Sequence, residues 1–319
     1  MPKLHMPRSG SLAYWPRKRA AKILPSANWD YIEKVSKQKG LLGFIAYKAG
    51  MARVLAKDST NDSLTKGKQI IIPVTIIECP TIKICSVRFY KNNSVAFEFL
   101  NKNLDKDLKR KIKLPKKQTL SLEEAEKRSN EFDNIRVLVY TLTKKINLKK
   151  SPDLLEMGIG GTLKDKLDFV KNNLDKEFSI DTVFTKNQLI DIKALTRGLG
   201  TQGPVKRFGI GLRSHKAEKG QRRPGNLGSW TPCRVSFRVA QMGQLGFFTR
   251  NKYNNKIIDI LSKEKIPFAI ENYGKIDGSF LVIKGSIQGT PKRQLVLSAP
   301  VRERKRRQKE TYEIIKLMK

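Results

Sequence analysis

Fifty-seven residues, Thr196 to Lys252, carry twelve Lys or Arg, ten Gly and a single carboxylate, Glu218. No apolar periodicity runs through them, and their like charges repel, so the stretch cannot bury a core of its own. It is expected to order only when a dense polyanion neutralises it, and RNA is the polyanion that fits best.

The same bias runs through the whole chain. Its 319 residues sum to a formal net charge of +36. An excess of this size opposes compaction of the free protein and recruits polyanions. A hydrophobic fraction of 39% still supports a real core. A membrane partner is not expected, because neither the termini nor the basic segment reads as a basic amphipathic helix. The longest apolar stretch, Ile70 to Ile77, is too short to span a bilayer and contains Pro73. No signal peptide is legible in the first thirty residues, and the expected location is the cytoplasm. Cys79, Cys85 and Cys233, with His5 and His215 distant from them, have neither disulfide nor metal-site spacing, so no metal is expected.

The chain divides by composition. Residues 1–40 form an N-terminal basic arm; Met1 to Lys22 holds six Lys or Arg, no acid, and prolines that spoil a targeting helix. Residues 41–100 read as the first part of a β-barrel. Apolar runs lie at Leu41–Ala46 and Gln69–Glu78, and alternation follows at Thr81–Tyr90 and through Val95, Phe97 and Phe99. Residues 101–180 concentrate thirteen of the 29 acids and look like an α/β insertion. There Ser121 and Glu124 suit a capping box for a helix with Leu122, Ala125, Ser129 and Phe132 on one face. Ile135, Val137 and Val139 suit a strand. Thr162 is placed to cap a second helix through Leu163, Leu167, Val170 and Leu174. A barrel strand is expected at 181–196, then an extended RNA-penetrating loop at 197–252 with barrel-proximal ends and a strand at Cys233–Ala240. Final barrel strands fill 253–299, at Lys256–Leu261 and Ser279–Ile287, before a charged C-terminal tail at 300–319.

Catalysis is hard to place in this sequence. Gly198-Leu-Gly200-Thr-Gln-Gly203 matches a dinucleotide fingerprint, but Pro204 follows at once and no helical stripe comes after it. Arg222 and Arg223 stand where an acid for a ribose hydroxyl is required. Glu218 and His215 alone cannot supply acid–base or metal-assisted chemistry. The chain is therefore expected to be no enzyme, with no cofactor and no small-molecule substrate. RNA contact accounts for the same residues better, since cations hold phosphates and Phe208, Trp230, Phe247 and Phe248 suit stacking on splayed bases. Phe247 and Phe248 fit packing back onto the barrel equally well. Trp230 lies among Gly228, Ser229 and Pro232, with no apolar neighbours in sequence, and is expected to be exposed.

Several blocks in order carry a resemblance to a known family. They are His5-Met-Pro-Arg-Ser-Gly-Ser-Leu-Ala-Tyr-Trp-Pro-Arg-Lys-Arg-Ala20, Leu42-Gly-Phe-Ile-Ala-Tyr-Lys-Ala-Gly-Met51 and Thr196-Arg-Gly-Leu-Gly-Thr-Gln-Gly-Pro-Val-Lys-Arg-Phe-Gly209. Gly228-Ser-Trp-Thr-Pro-Cys-Arg-Val235, Gly243-Gln-Leu-Gly-Phe247 and Lys284-Gly-Ser-Ile-Gln-Gly-Thr-Pro-Lys-Arg293 complete the series. Over nearly its full length the chain resembles the ribosomal protein L-three family in its archaeal and eukaryotic form. The resemblance implies a mainly β fold, a six-stranded Greek-key barrel of the translation-protein type with an α/β insertion, a long basic loop and terminal extensions. It further implies a structural constituent of the large ribosomal subunit that binds large-subunit ribosomal RNA, supports early assembly and packs RNA near the peptidyl-transferase centre. The implied protein neighbours belong to the L-fourteen and L-twenty-four families.

The sequence departs from the family at Ala52-Arg53, at Phe208 and at Asn251-Lys252, where Thr-His, Trp and Thr-Glu are usual. The residues expected to touch RNA are Arg8, Arg17, Lys18 and Arg19 in the arm. In the loop they are Arg197, Lys206, Arg207, Phe208, Arg213, His215, Lys216, Arg222, Arg223, Trp230, Arg234 and Arg250, and beyond it Lys292 and Arg293. A basic RNA-modifying enzyme and a DNA-compacting protein are the competing readings. The first requires turnover that depends on Glu218; the glycine and aromatic content of the loop argues against the second.

Overall fold

The computed structural model describes residues 10–115, 124, 128, 131–231, 233–262 and 268–318. The chain forms two compact units, Met1–Lys22 with Leu195–Thr249, and Ile23–Ala194 with Arg250–Lys319. It is mainly β, built from antiparallel ladders with few helices.

In the larger unit, α1 (Trp29–Val35) is followed by β1 (Gly40–Leu41), β2 (Gly43–Asp58) and β3 (Gln69–Cys79). Then come β4 (Ile82–Lys91), β5 (Ser94–Leu100), β6 (Asn134–Thr141), β7 (Leu154–Gly160) and α2 (Leu163–Asn173). β8 (Leu189–Leu195) leads to the smaller unit, with its β9 (Thr201–Gln202), α3 (Pro204–Phe208) and β10 (Gly243–Gln244). The chain returns through β11 (Thr249–Leu261), β12 (Ser279–Lys284), β13 (Gln294–Ser298), α4 (Lys305–Gln308) and β14 (Tyr312–Met318).

One sheet runs in the order β13-β8-β11-β12-β3-β2-β14, and β13 also pairs with β2. Six strands therefore follow one another around a ring, and β14 extends the far half of β2. β-branched residues dominate β3, where Ile72, Val74, Ile76 and Ile77 are buried, as expected of a strand packed on its faces. Phe44, Ile192, Leu281, Ile283, Leu295 and Leu297 belong to one core; Val54, Ile72, Ile76, Phe280, Val282 and Tyr312 belong to a second.

The second sheet has the order β1-β7-β6-β4-β5. Here the pairing departs from the sequence reading, which gave 82–100 to the barrel: β4 pairs with β6 from Ile82↔Thr141 to Tyr90↔Asn134, in the sheet of the α/β region. Alternating hydropathy reports that a segment is a strand but not which partner it meets. α2 matches its reading. Thr162 Oγ1 accepts from Asp165 N, and Asp165 Oδ2 accepts from Thr162 N at 3.0 Å, closing a capping box. Val170 is buried, and Leu163, Leu167 and Leu174 pack around the same core. The helix read through Ser121, Leu122, Ala125 and Ser129 lies outside the described residues. Phe132 is buried against Phe89, ring centroids 5.0 Å apart.

The structure differs from the sequence expectation at three further places. Residues 233–240 form no strand; Val235 and Phe237 are 51% and 68% exposed, so their alternation faces no sheet. The charged tail is not featureless, because β14 pairs with β2 from Tyr312↔Asp58 to Met318↔Arg53. A short helix, α3, does open after Gly203, with Pro204 in its first turn, where a missing N–H costs nothing. Among the described residues, no helix is long and apolar enough to cross a membrane.

Candidate nucleic-acid interface

Within the smaller unit the two legs of the loop zip together. β9 and β10 pair at Gly243↔Gln202 and Gln244↔Thr201. Leu199 N donates to Leu245 O at 3.0 Å, Leu245 N to Gly200 O at 2.9 Å, and Thr196 N to Phe248 O at 3.0 Å. Gly246 is required in this stem. Its φ is +71°, and a Cβ there would lie 1.9 Å from the Arg197 carbonyl oxygen.

The apolar material the loop lacks comes from the N-terminal arm. Trp15 stacks on Phe208, centroids 5.8 Å apart at 22°, and meets Phe237 edge-on at 5.9 Å. The Arg17 guanidinium lies 4.3 Å from the Phe208 centroid, and Arg19 lies 5.1 Å from that of Phe247. Ala20 N donates to Phe247 O at 3.0 Å, tying the arm to the stem.

Arg207 is the hub of this packing. It donates from Nε to Gln244 O at 3.0 Å, from Nη1 to Gln241 O at 3.0 Å and from Nη2 to Arg17 O at 3.2 Å. Burial pulls its pKa down, but a guanidinium stays charged at neutral pH. Its carbonyl partners therefore hold a full positive charge in place.

These contacts revise the roles of particular residues. Phe208, read as a stacking platform for bases, is 5% exposed and spends its ring on Trp15 and Arg17. Nothing in the local sequence reveals partners more than 190 residues away. Arg17 and Arg207 are engaged with protein carbonyls, and Arg213 donates from Nη2 to Pro224 O at 2.6 Å. Phe248 is buried and Phe247 half-buried. Lys18, Arg19, Arg197, Lys206, His215, Lys216, Arg222, Arg223 and Arg234 are exposed. So is Trp230, at 88%. Arg8 lies outside the described residues. In the larger unit Arg250 is the second residue of β11, half-buried, while Lys292 and Arg293 precede β13, where Lys292 N donates to Lys48 O at 2.8 Å.

A folded stem thus carries a solvated array of cations with one carboxylate among them, Glu218. Among the described residues no group of three His, Cys, Asp or Glu side chains could hold a metal ion. Cys79 and Cys85 are buried and Cys233 is exposed. The family model described as "Ribosomal protein L3" matches residues 1–318. The chain belongs to the ribosomal protein L3 family. Three archaeal proteins, each called "Large ribosomal subunit protein uL3", are similar to it along its length. That of Methanococcoides burtonii is 39% identical, covering 95% of this chain and 94% of its own. That of Archaeoglobus fulgidus is 38% identical, covering 94% and 93%. That of Methanosphaera stadtmanae is 36% identical, covering 95% and 94%. An L3-family protein is a component of the cytoplasmic ribosome, works in translation, and is not an enzyme.

Proposed function

We propose that this L3-family chain is a structural constituent of the large ribosomal subunit that binds its ribosomal RNA. The exposed cations of residues 10–22 and 197–252 would serve as the principal contact. The observation that carries this reading is the division of labour inside the smaller unit. Arg17 and Arg207 knit arm and stem together, while Lys18, Arg19, Arg197, Lys206, His215, Lys216, Arg222, Arg223 and Arg234 stay in solvent. Cations carried on a folded stem and exposed to solvent suit phosphate neutralisation, and each neutralised phosphate releases counterions. Trp230 adds an exposed aromatic face for a splayed base.

The ring of six strands supports assignment as the Greek-key barrel of translation proteins, with β4 to β7 and α2 as its α/β insertion. The resemblance extends the reading further. The loop would pack RNA near the peptidyl-transferase centre and support early assembly, with neighbours of the L-fourteen and L-twenty-four families beside the larger unit. Ultraviolet crosslinking of assembled subunits, with the adducts mapped on both molecules, tests the proposal. RNA adducts at Trp230 and along 213–234 are expected. A loop that crosslinks only to protein refutes it.

A further inference from the structure

The larger unit holds an open groove of about 570 Å³, bordered by α1, β8, the first residues of β11 and the segment after β13. Lys193 of β8 forms part of its wall. β8 reads Leu189-Ile-Asp-Ile-Lys-Ala-Leu195, six of its seven residues buried and Lys193 half-buried. Burial lowers the Lys193 pKa.

Other desolvated lysines in this unit have answered their burial. Lys48 donates to Ile287 O and Gly289 O, Lys252 to Ser286 O and Lys256 to Gln308 O. Lys166 and Lys284 reach the carboxylates of Glu33 and Glu310, each at 2.8 Å. Among the described residues the Lys193 ammonium has no hydrogen-bond or ion-pair partner, although its backbone pairs with Val296. Asp191, two residues away on the same strand face, does not supply one. Its two oxygens accept from Asn254 N at 2.7 Å and Val301 N at 3.0 Å. A half-buried ammonium without a counter-group costs stability and invites an anion.

The rest of the rim suggests which anion. Arg302 and Arg304 add charge against one carboxylate, Glu303. Tyr31 and Tyr253, 46% and 50% exposed, present rings at the same opening, and Asn251 an amide. Cations for a phosphate, aromatic faces for a base and an amide for its edge suit a nucleotide of looped or single-stranded RNA. Two exposed tyrosine rings beside the cations favour a stacked base over an acidic peptide. We propose that the Lys193 groove is a second RNA site, separate from the loop, which takes successive phosphates of one strand on Lys193, Arg302 and Arg304 with a base against Tyr31 or Tyr253. This rests on ribosomal RNA being the polyanion.

Photo-crosslinking in assembled large subunits tests it, with benzoylphenylalanine in place of Tyr253 in one sample and of Trp230 in another. An RNA adduct from position 253 is expected. A protein adduct there, or none, overturns the groove. RNA adducts from 230 without any from 253 sink the groove alone, whereas no RNA adduct from either position also sinks the proposed function. Lys193→Met in the full chain gives a second readout. The log–log salt slope of ribosomal-RNA binding should shrink by about 0.7–0.9, the share of one phosphate, while the free protein melts no lower than wild type. An unchanged slope overturns the proposal. Should Lys193→Met fail to fold, the pair Arg302→Gln and Arg304→Gln replaces it, with a loss of about 1.4–1.8 expected and no loss contradicting.

Discussion

Arg17 and Arg207 hold each other's backbone. Arg17 Nη1 donates to Arg207 O at 2.7 Å, and Arg207 Nη2 donates to Arg17 O at 3.2 Å. Two like charges side by side should repel. Here each guanidinium instead finds the partial negative charge of the other's carbonyl, and both lie near the Phe208 ring, at 4.3 and 5.2 Å. The arm and the loop, neither able to make a core alone, become one small folded body through this exchange.

Arg207→Met removes donors to Gln244, Gln241 and Arg17 together. The stem should open more readily by about 2 kcal/mol, the usual worth of charge-assisted bonds lost in a partly buried site. Native-state hydrogen exchange at the Leu245 and Phe247 amides reads this directly. Unchanged protection would mean the stem does not depend on Arg207.

Trp230→Ala should leave the melting temperature of the free protein within the scatter of surface substitutions, about 0.5 kcal/mol. Subunit assembly or function should suffer instead, because the exposed ring has no core to leave. A clear loss of stability in the isolated protein would show that the indole packs internally.

Asp58 predicts a pH signature. Burial pushes its carboxyl up, but donors from Thr65, Thr60 and Ser63 outweigh that and hold it well below the usual carboxylate range. Thr60 N donates at 2.9 Å and Ser63 Oγ at 2.7 Å. A depressed folded pKa stabilises fully above the unfolded value of about 4 and progressively less as pH falls below it. Asp58→Asn should therefore weaken the β2–β3 turn at neutral pH by about 1–3 kcal/mol, with the difference from wild type shrinking in acid. Denaturant midpoints between pH 2 and pH 7 measure this, and a constant difference would rule the carboxylate out as its source.

Thr162→Ala should cost about 1 kcal/mol by uncapping α2, and Thr162→Ser should restore most of it. Urea unfolding of the pair distinguishes a lost cap from a lost methyl contact.

How much of this was legible varies by residue. The β3 run and the Thr162 cap stand out in the sequence because their signals are local: β-branched density in one, Thr with Asp three residues later in the other. The membership of β4 in the second sheet is not local, since Ile82 and Ile84 look the same whichever strand they meet. Val235, Phe237 and Val239 mimic a strand, but Phe237 alternates into contact with Trp15 rather than into a ladder. The basic run ahead of Tyr312 hides β14, whose pairing comes from β2, some 250 residues earlier. Lys193 went unread as a site residue, although its one signal was present: a lone cation inside an otherwise buried strand.

If cations anchored in a folded stem hold this protein to ribosomal RNA by neutralising phosphates, binding must release counterions. Affinity of the full chain for large-subunit ribosomal RNA, measured across a range of monovalent salt, tests it most directly. Phosphate neutralisation requires a straight, steep fall of log affinity with log salt, about 0.7–0.9 for each phosphate neutralised. A nearly flat line would contradict it.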